Sequence, residues 1–79
     1  MKLPRDMDTA ELIKALARLG YRPVRQTGSH IRLQCDDPLH AITIPNHRPL
    51  RVGTLAAIIT DVAAQRKMDR DALVELLLA

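Results

Sequence analysis

The apolar residues of this chain change their spacing twice, and that change dictates the order of its elements. Asp8-Thr9-Ala10-Glu11 has capping-box spacing, an acceptor side chain followed three residues later by Glu. Leu12, Ile13, Leu16 and Leu19 follow at helical intervals, and Gly20 supplies the left-handed residue that ends a helix. The spacing predicts a first helix over about residues 9–19. From Tyr21 the period becomes two. Val24 sits among Arg22, Arg25 and Gln26 in a first strand, and Thr27-Gly28-Ser29 reads as a turn. His30-Ile31-Arg32-Leu33-Gln34-Cys35 then alternates, with Ile31, Leu33 and Cys35 on one side and His30, Arg32 and Gln34 on the other. Asp36-Asp37-Pro38 reads as a second turn and Ala41–Ile44 as a third short strand. Pro45 and Pro49 bracket a loop holding Asn46, His47 and Arg48. Helical spacing returns at Gly53-Thr54, with Leu55, Ile58, Ile59 and Val62 on one stripe and Arg66 and Lys67 near the end, where cations suit the helix dipole. Asp69 reads as the N-cap of a short third helix carrying Leu73, Leu76 and Leu77. The expected fold is α+β: an α-β-β-β-α order with an antiparallel three-stranded meander, helices on one face, the other face open, and a C-terminal helix added.

Composition narrows what such a fold does. At 79 residues the chain is expected to be one domain over 1–79, with a core unit at about 8–64 and a helical extension at about 67–79. Tyr21 is the only aromatic among Phe, Trp and Tyr, which excludes an RNA-binding sheet that stacks bases on rows of aromatic rings. Cys35 is the only cysteine, so no internal disulfide forms, and a single thiol suits a reducing cytosol. No apolar run approaches the roughly 18 residues of a membrane span, and the basic start Met1-Lys2-Leu3-Pro4-Arg5 has no apolar stretch behind it, so neither a membrane nor a signal peptide is expected. The reading is a cytoplasmic protein whose thin stability margin leaves room for a partner or a homodimer. Net charge is +3 and the pI about 9.6, which keeps a nucleic-acid partner open without establishing one.

The placement of charge says more than its sum. Residues 1–52 carry nine Lys/Arg against five Asp/Glu, and Arg18, Arg22, Arg25 and Arg32 occur with no acid between Glu11 and Asp36. In a meander, the start of strand two and the end of strand three lie at the same end of the sheet. That topology gathers His30, His47, Arg48, Arg51 and the amides near Gly53-Thr54 in one region. Helix N-terminal amides suit an anion, phosphate included, and a histidine beside a phosphate is the minimum equipment for metal-free RNA cleavage. Each piece also has an ordinary explanation. A histidine at a strand start is usually just exposed, Gly28-Ser29 is hairpin chemistry, and four arginines are usually a solvated face. Cys35, His40 and His47 lack the paired spacings of zinc motifs, so no metal site is expected. Residues alone lead to a basic α/β domain with RNA as one candidate ligand.

Four blocks of residues go further. Leu19-Gly20-Tyr21, then Arg25-Gln26-Thr27-Gly28-Ser29-His30, then Thr43-Ile44-Pro45-Asn46-His47, then Leu50-Arg51-Val52-Gly53-Thr54-Leu55 with Ile58-Ile59 resemble the HicA family of toxins, mRNA interferases of toxin–antitoxin pairs. The resemblance covers about residues 8–64, in the same order and at similar spacing. It implies a fold similar to a double-stranded-RNA-binding domain, endoribonuclease action on mRNA, and neutralisation by a HicB-like antitoxin that covers the site. The family's active histidine follows the Gly-Ser of the first hairpin, which is His30 here. The family's Ile-Pro-x-His block matches at Ile44, Pro45 and His47. One departure is Ala56, where many relatives carry a basic residue after Gly-Thr-Leu; another is the segment beyond Lys67, which outruns the shortest relatives.

The expected site therefore has His30 as the catalytic acid or base, with Gly28, Ser29, Arg25, Arg32, His47, Arg51, Gly53 and Thr54 on the RNA and no cofactor. Absence of a carboxylate cluster points to metal-independent cleavage. Two other readings use the same residues: a non-catalytic double-stranded-RNA-binding module, and an interaction protein that docks a partner on its open sheet face or third helix.

Overall fold

A computed structural model describes residues 3, 7–36, 39–47 and 49–78. The second turn at Asp37-Pro38, Arg48 in the loop, and the start of the chain at residues 1, 2 and 4–6 lie outside the described residues. The element order is α1 (Thr9–Ala17), β1 (Arg22–Thr27), β2 (His30–Asp36), β3 (Leu39–Pro45), α2 (Val52–Arg66) and α3 (Arg70–Leu78).

The first helix forms where its caps place it. The Asp8 carboxylate accepts from the Glu11 amide at 2.9 Å, satisfying one of the free donors of the first turn. Regular helix ends at Ala17, and a tighter turn carries the chain to Gly20 at φ 92°. Gly20 N–H donates to Ala17 O at 3.0 Å and Tyr21 N–H to Leu16 O at 3.3 Å, the paired bonds of a Schellman ending. Leu16 and Tyr21, the two residues that such an ending brings together, are both buried.

The three strands form one sheet in the order β1-β2-β3, both pairs antiparallel. β2 and β3 bury alternate residues as expected: Leu33, Cys35, Ile42 and Ile44 face the helices. β1 does not. All six of its residues are exposed, because it is an edge strand whose register shifts between Pro23 and Arg25, leaving Val24 as an extra residue at 44 % exposure. A two-residue period there marks a strand without a buried face.

α2 opens one residue before the expected Gly53, at Val52, and its stripe of Leu55, Ile58, Ile59 and Val62 is buried as predicted. α3 packs into the same core through Leu73, Val74 and Leu77. Leu76, expected inside, is exposed, and Val74 takes the inward position. At about 100° per residue, Leu73, Val74 and Leu77 share one arc and Leu76 falls on its flank. The helices thus cover one face of the sheet and leave the other open. Among the described residues no helix is long and apolar enough to cross a membrane.

Candidate functional site on the open face of the sheet

Alternation along β2 sends His30, Arg32 and Gln34 to the open face, and the sheet register decides what stands beside them. Thr27 and Pro45 flank His30 in one row, Arg25 and Thr43 flank Arg32 in the next, and Arg22 and Ala41 flank Gln34 in the third. The row of His30 lies at the hairpin. Gly28 takes φ 57° there, a left-handed conformation that glycine adopts without strain, so two residues suffice to turn the chain from Thr27 into His30.

Arg25, Thr27, His30, Arg32 and Thr43 line a cleft of about 230 Å³. Its walls carry two guanidiniums, an imidazole and two hydroxyls, with no carboxylate among them. Arg25 and Arg32 are cross-strand partners, and like charges in that relation repel. Neither guanidinium forms a hydrogen bond or ion pair among the described residues. Next along the face the charge is settled. Arg22 bonds Asp36 at 3.0 and 3.3 Å. The Arg22 hydrogen bond, and then its charge, hold the Asp36 carboxyl below its usual range. Arg18 turns the other way, its guanidinium donating to Leu76 O at 3.4 Å. The run of four arginines therefore divides into two on the cleft and two engaged elsewhere.

The loop after β3 reaches the same end of the sheet. Asn46 N–H donates to Ser29 O at 2.6 Å, which seats that loop against the hairpin preceding His30. The buried Thr9 hydroxyl donates to Pro45 O at 2.7 Å and accepts from His47 N–H at 2.9 Å. His47 is itself exposed and does not line the cleft. Arg51 caps α2 through its backbone alone, and it is exposed, as is Gly53, with Thr54 half-buried. None of the three lines the cleft, because α2 packs on the covered face while the cleft opens on the other. The structure brings Arg25, Arg32 and His30 together, keeps Gly28, Ser29 and His47 at their border, and leaves the start of α2 apart.

Thr27 and Thr43 complete the cleft without having been singled out in the sequence. Thr43 lies between the buried Ile42 and Ile44 and so faces outward, and the register stands it opposite Arg32. A second polar cluster was also missed, at the far end of the sheet. The Tyr21 hydroxyl lies 2.6 Å from His40 Nδ1, and His40 Nε2 lies 3.3 Å from Asp61 Oδ1. The consistent tautomer has Nδ1 accepting from Tyr21 and Nε2–H donating to Asp61. Burial pushes the Tyr21 phenol up to about 12, with Cys35 adding to the shift and Arg66 opposing it. The Arg66 guanidinium stands 5.5 Å from the Tyr21 ring centroid and donates to Leu19 O. This cluster joins β3 to α2 and to the end of α1. Among the described residues no three metal-ligating side chains come together; Cys35 and His40 are cross-strand partners there, and His47 lies at the other end of β3.

No curated protein and no solved structure matches the chain. The family described as the HicA toxin of bacterial toxin–antitoxin systems matches residues 9–63, from the first residue of α1 to near the end of α2. That span is more than half of the sequence and holds the whole sheet with its cleft, and so the chain belongs to the HicA toxin family.

Proposed function

We propose that the protein is the endoribonuclease toxin of a cytoplasmic toxin–antitoxin pair, cleaving mRNA at the open face of its sheet and held inactive by a HicB-like antitoxin. The observation that carries this reading is the cleft itself. Two guanidiniums without acidic partners stand side by side in the row next to an exposed imidazole, an arrangement that suits a phosphodiester.

In this reading His30 takes the proton of a 2′-hydroxyl. The freed oxygen bonds to the adjacent phosphorus as the bond to the 5′-oxygen breaks, and that oxygen leaves with a proton from the imidazolium or from water. The products are a 2′,3′-cyclic phosphate and a 5′-hydroxyl end. Proton transfer by a positioned side chain contributes about 10²–10⁴-fold. Arg25 and Arg32, in the next row, hold the strand and raise the positive potential at the reacting phosphate, with the Thr43 hydroxyl beside them, and the Thr27 hydroxyl, in the row of His30, donates to the phosphoryl oxygens. Gly28 and Ser29 hold the turn that presents His30. His47 borders the site, and Arg51 with the Gly53 and Thr54 amides would meet the RNA only beyond the cleft. The charge on the phosphate is offset here by cations of the protein, so the reaction is expected to run without a metal ion.

The experiment is an mRNA digest with and without EDTA, followed by analysis of the product ends. Unchanged cleavage with 2′,3′-cyclic phosphate ends supports the reading. Cleavage that EDTA abolishes, or that leaves 3′-hydroxyl ends, refutes the chemistry. RNA bound stoichiometrically and left intact transfers the assignment to a non-catalytic RNA-binding module.

A further inference from the structure

The open face is a line of charge with an end. Along β2 its outward residues are His30, Arg32, Gln34 and Asp36, so the rows repeat at about 6.7 Å, a spacing that successive phosphates of one extended RNA strand can follow. The first row carries His30 and the second the unpartnered Arg25 and Arg32. The third row carries Arg22, which would extend the track by one phosphate, but Asp36 holds it in an ion pair at 3.0 Å. Both side chains of that pair are more than half exposed, so the core does not require it; its effect falls on the surface field.

We infer that this face holds two successive phosphates of a single RNA strand, the scissile one at His30 and its neighbour between Arg25 and Arg32, and that Asp36 ends the track by neutralising Arg22. The inference rests on reading the cleft as the RNA site. It adds a direction, since the strand runs along β2 from the hairpin toward Asp36, and a length. Asp36 acts twice against a third phosphate: it occupies the only arginine of that row, and its own carboxylate repels the anion. With no Phe, Tyr or Trp on this face, nucleotides added beyond His30 meet no aromatic ring to stack on, so affinity depends mainly on the phosphates reached.

The test is binding, which separates it from cleavage. Fluorescein-labelled 2′-O-methyl oligouridylates of two to six nucleotides, which lack the attacking hydroxyl, are titrated at several salt concentrations. For the wild type, affinity rises from one phosphodiester to two and then levels off. The slope of log K against log salt is about −1.4, or −0.7 for each phosphate of a single strand. Asp36→Asn moves the plateau one nucleotide further and steepens the slope by about 0.7. Adding Arg22→Ala to Asp36→Asn returns both to wild type, while Arg22→Ala alone moves the plateau no further and steepens nothing. Affinity that climbs evenly to six nucleotides, or an Asp36→Asn protein that behaves as wild type, overturns the track while leaving an RNA site standing. No binding to any oligonucleotide at low salt overturns the track and the RNA site together.

Discussion

Thr9 carries a buried hydroxyl, and replacing it by Val measures how firmly the loop after β3 is held. Its hydroxyl has one proton and two lone pairs. The proton goes to Pro45 O at 2.7 Å, with His47 O at 3.1 Å as a weaker second acceptor, and a lone pair receives His47 N–H at 2.9 Å. Val fills the same space and removes both bonds. His47 O keeps the Thr9 amide at 3.2 Å, and His47 N–H keeps its contact with Pro45 O at 3.1 Å, so the loss is partial. Two net hydrogen bonds and the incomplete satisfaction of their partners amount to about 2 kcal/mol. In a domain of this size each kcal/mol moves the midpoint by about 4–8 °C, so Thr9→Val is expected to melt roughly 8–16 °C below wild type. Thr9→Ser keeps the hydroxyl and loses a methyl group, at about 0.8 kcal/mol. Thermal and urea melts give the ranking wild type, Ser, Val, and amide exchange at His47 quickens in the Val protein. A Val variant at least as stable as the Ser variant, with His47 still protected, would refute the tether.

Two further outcomes follow from backbone and burial. Lys67 ends α2 at φ 54° and ψ 44°, a left-handed conformation, while Met68 N–H bonds Ala63 O at 2.9 Å. Glycine adopts that conformation freely, so Lys67→Gly is expected to stabilise by about 1 kcal/mol, read as a raised urea midpoint; an unchanged or lowered midpoint contradicts it. Tyr21 has its phenol pushed up from 10 to about 12, mainly by burial. Below pH 10 both folded and unfolded chains keep the proton and stability is complete. Between pH 10 and 12 only the unfolded chain releases it, so stability falls with rising pH by about 1.4 kcal/mol per unit. With no Trp and no second Tyr, the tyrosinate absorbance reports this group alone. Ionisation at the ordinary value with the fold intact would contradict the shift.

Local patterns made the helices and β2 legible. Asp8 and Gly20 carry their capping roles in their own chemistry, and the alternation of β2 needs no partner to be recognised. What the sequence hid depends on pairing across distance. β1 lost its buried face to a bulge and an edge position, both properties of the sheet. The split of the basic run required knowing that Arg22 stands within reach of Asp36 across the bulged hairpin, whereas Arg25 meets only Arg32. His40, whose spacing to Cys35 and His47 argued against a metal site, had no role in the sequence until the fold placed it between Tyr21 and Asp61, residues 19 and 21 positions away. His30 stood out through the resemblance, and the register then showed Thr27 and Pro45 beside it and Arg25 and Arg32 in the next row. The start of α2 shows the opposite limit, since topology placed it near His30 while packing put it on the other side of the sheet.

In the proposed reaction His30 performs proton transfer at a phosphate held by its neighbours. Single-turnover cleavage of one defined RNA, compared between wild type and His30→Ala beside the affinity of each for the 2′-O-methyl analogue, tests it most directly. His30 is exposed and at the sheet's hairpin end, so the variant is expected to fold as wild type. His30→Ala is expected to cleave about 10²–10⁴-fold more slowly, with affinity changed only a few-fold. Equal rates for the two proteins would contradict it.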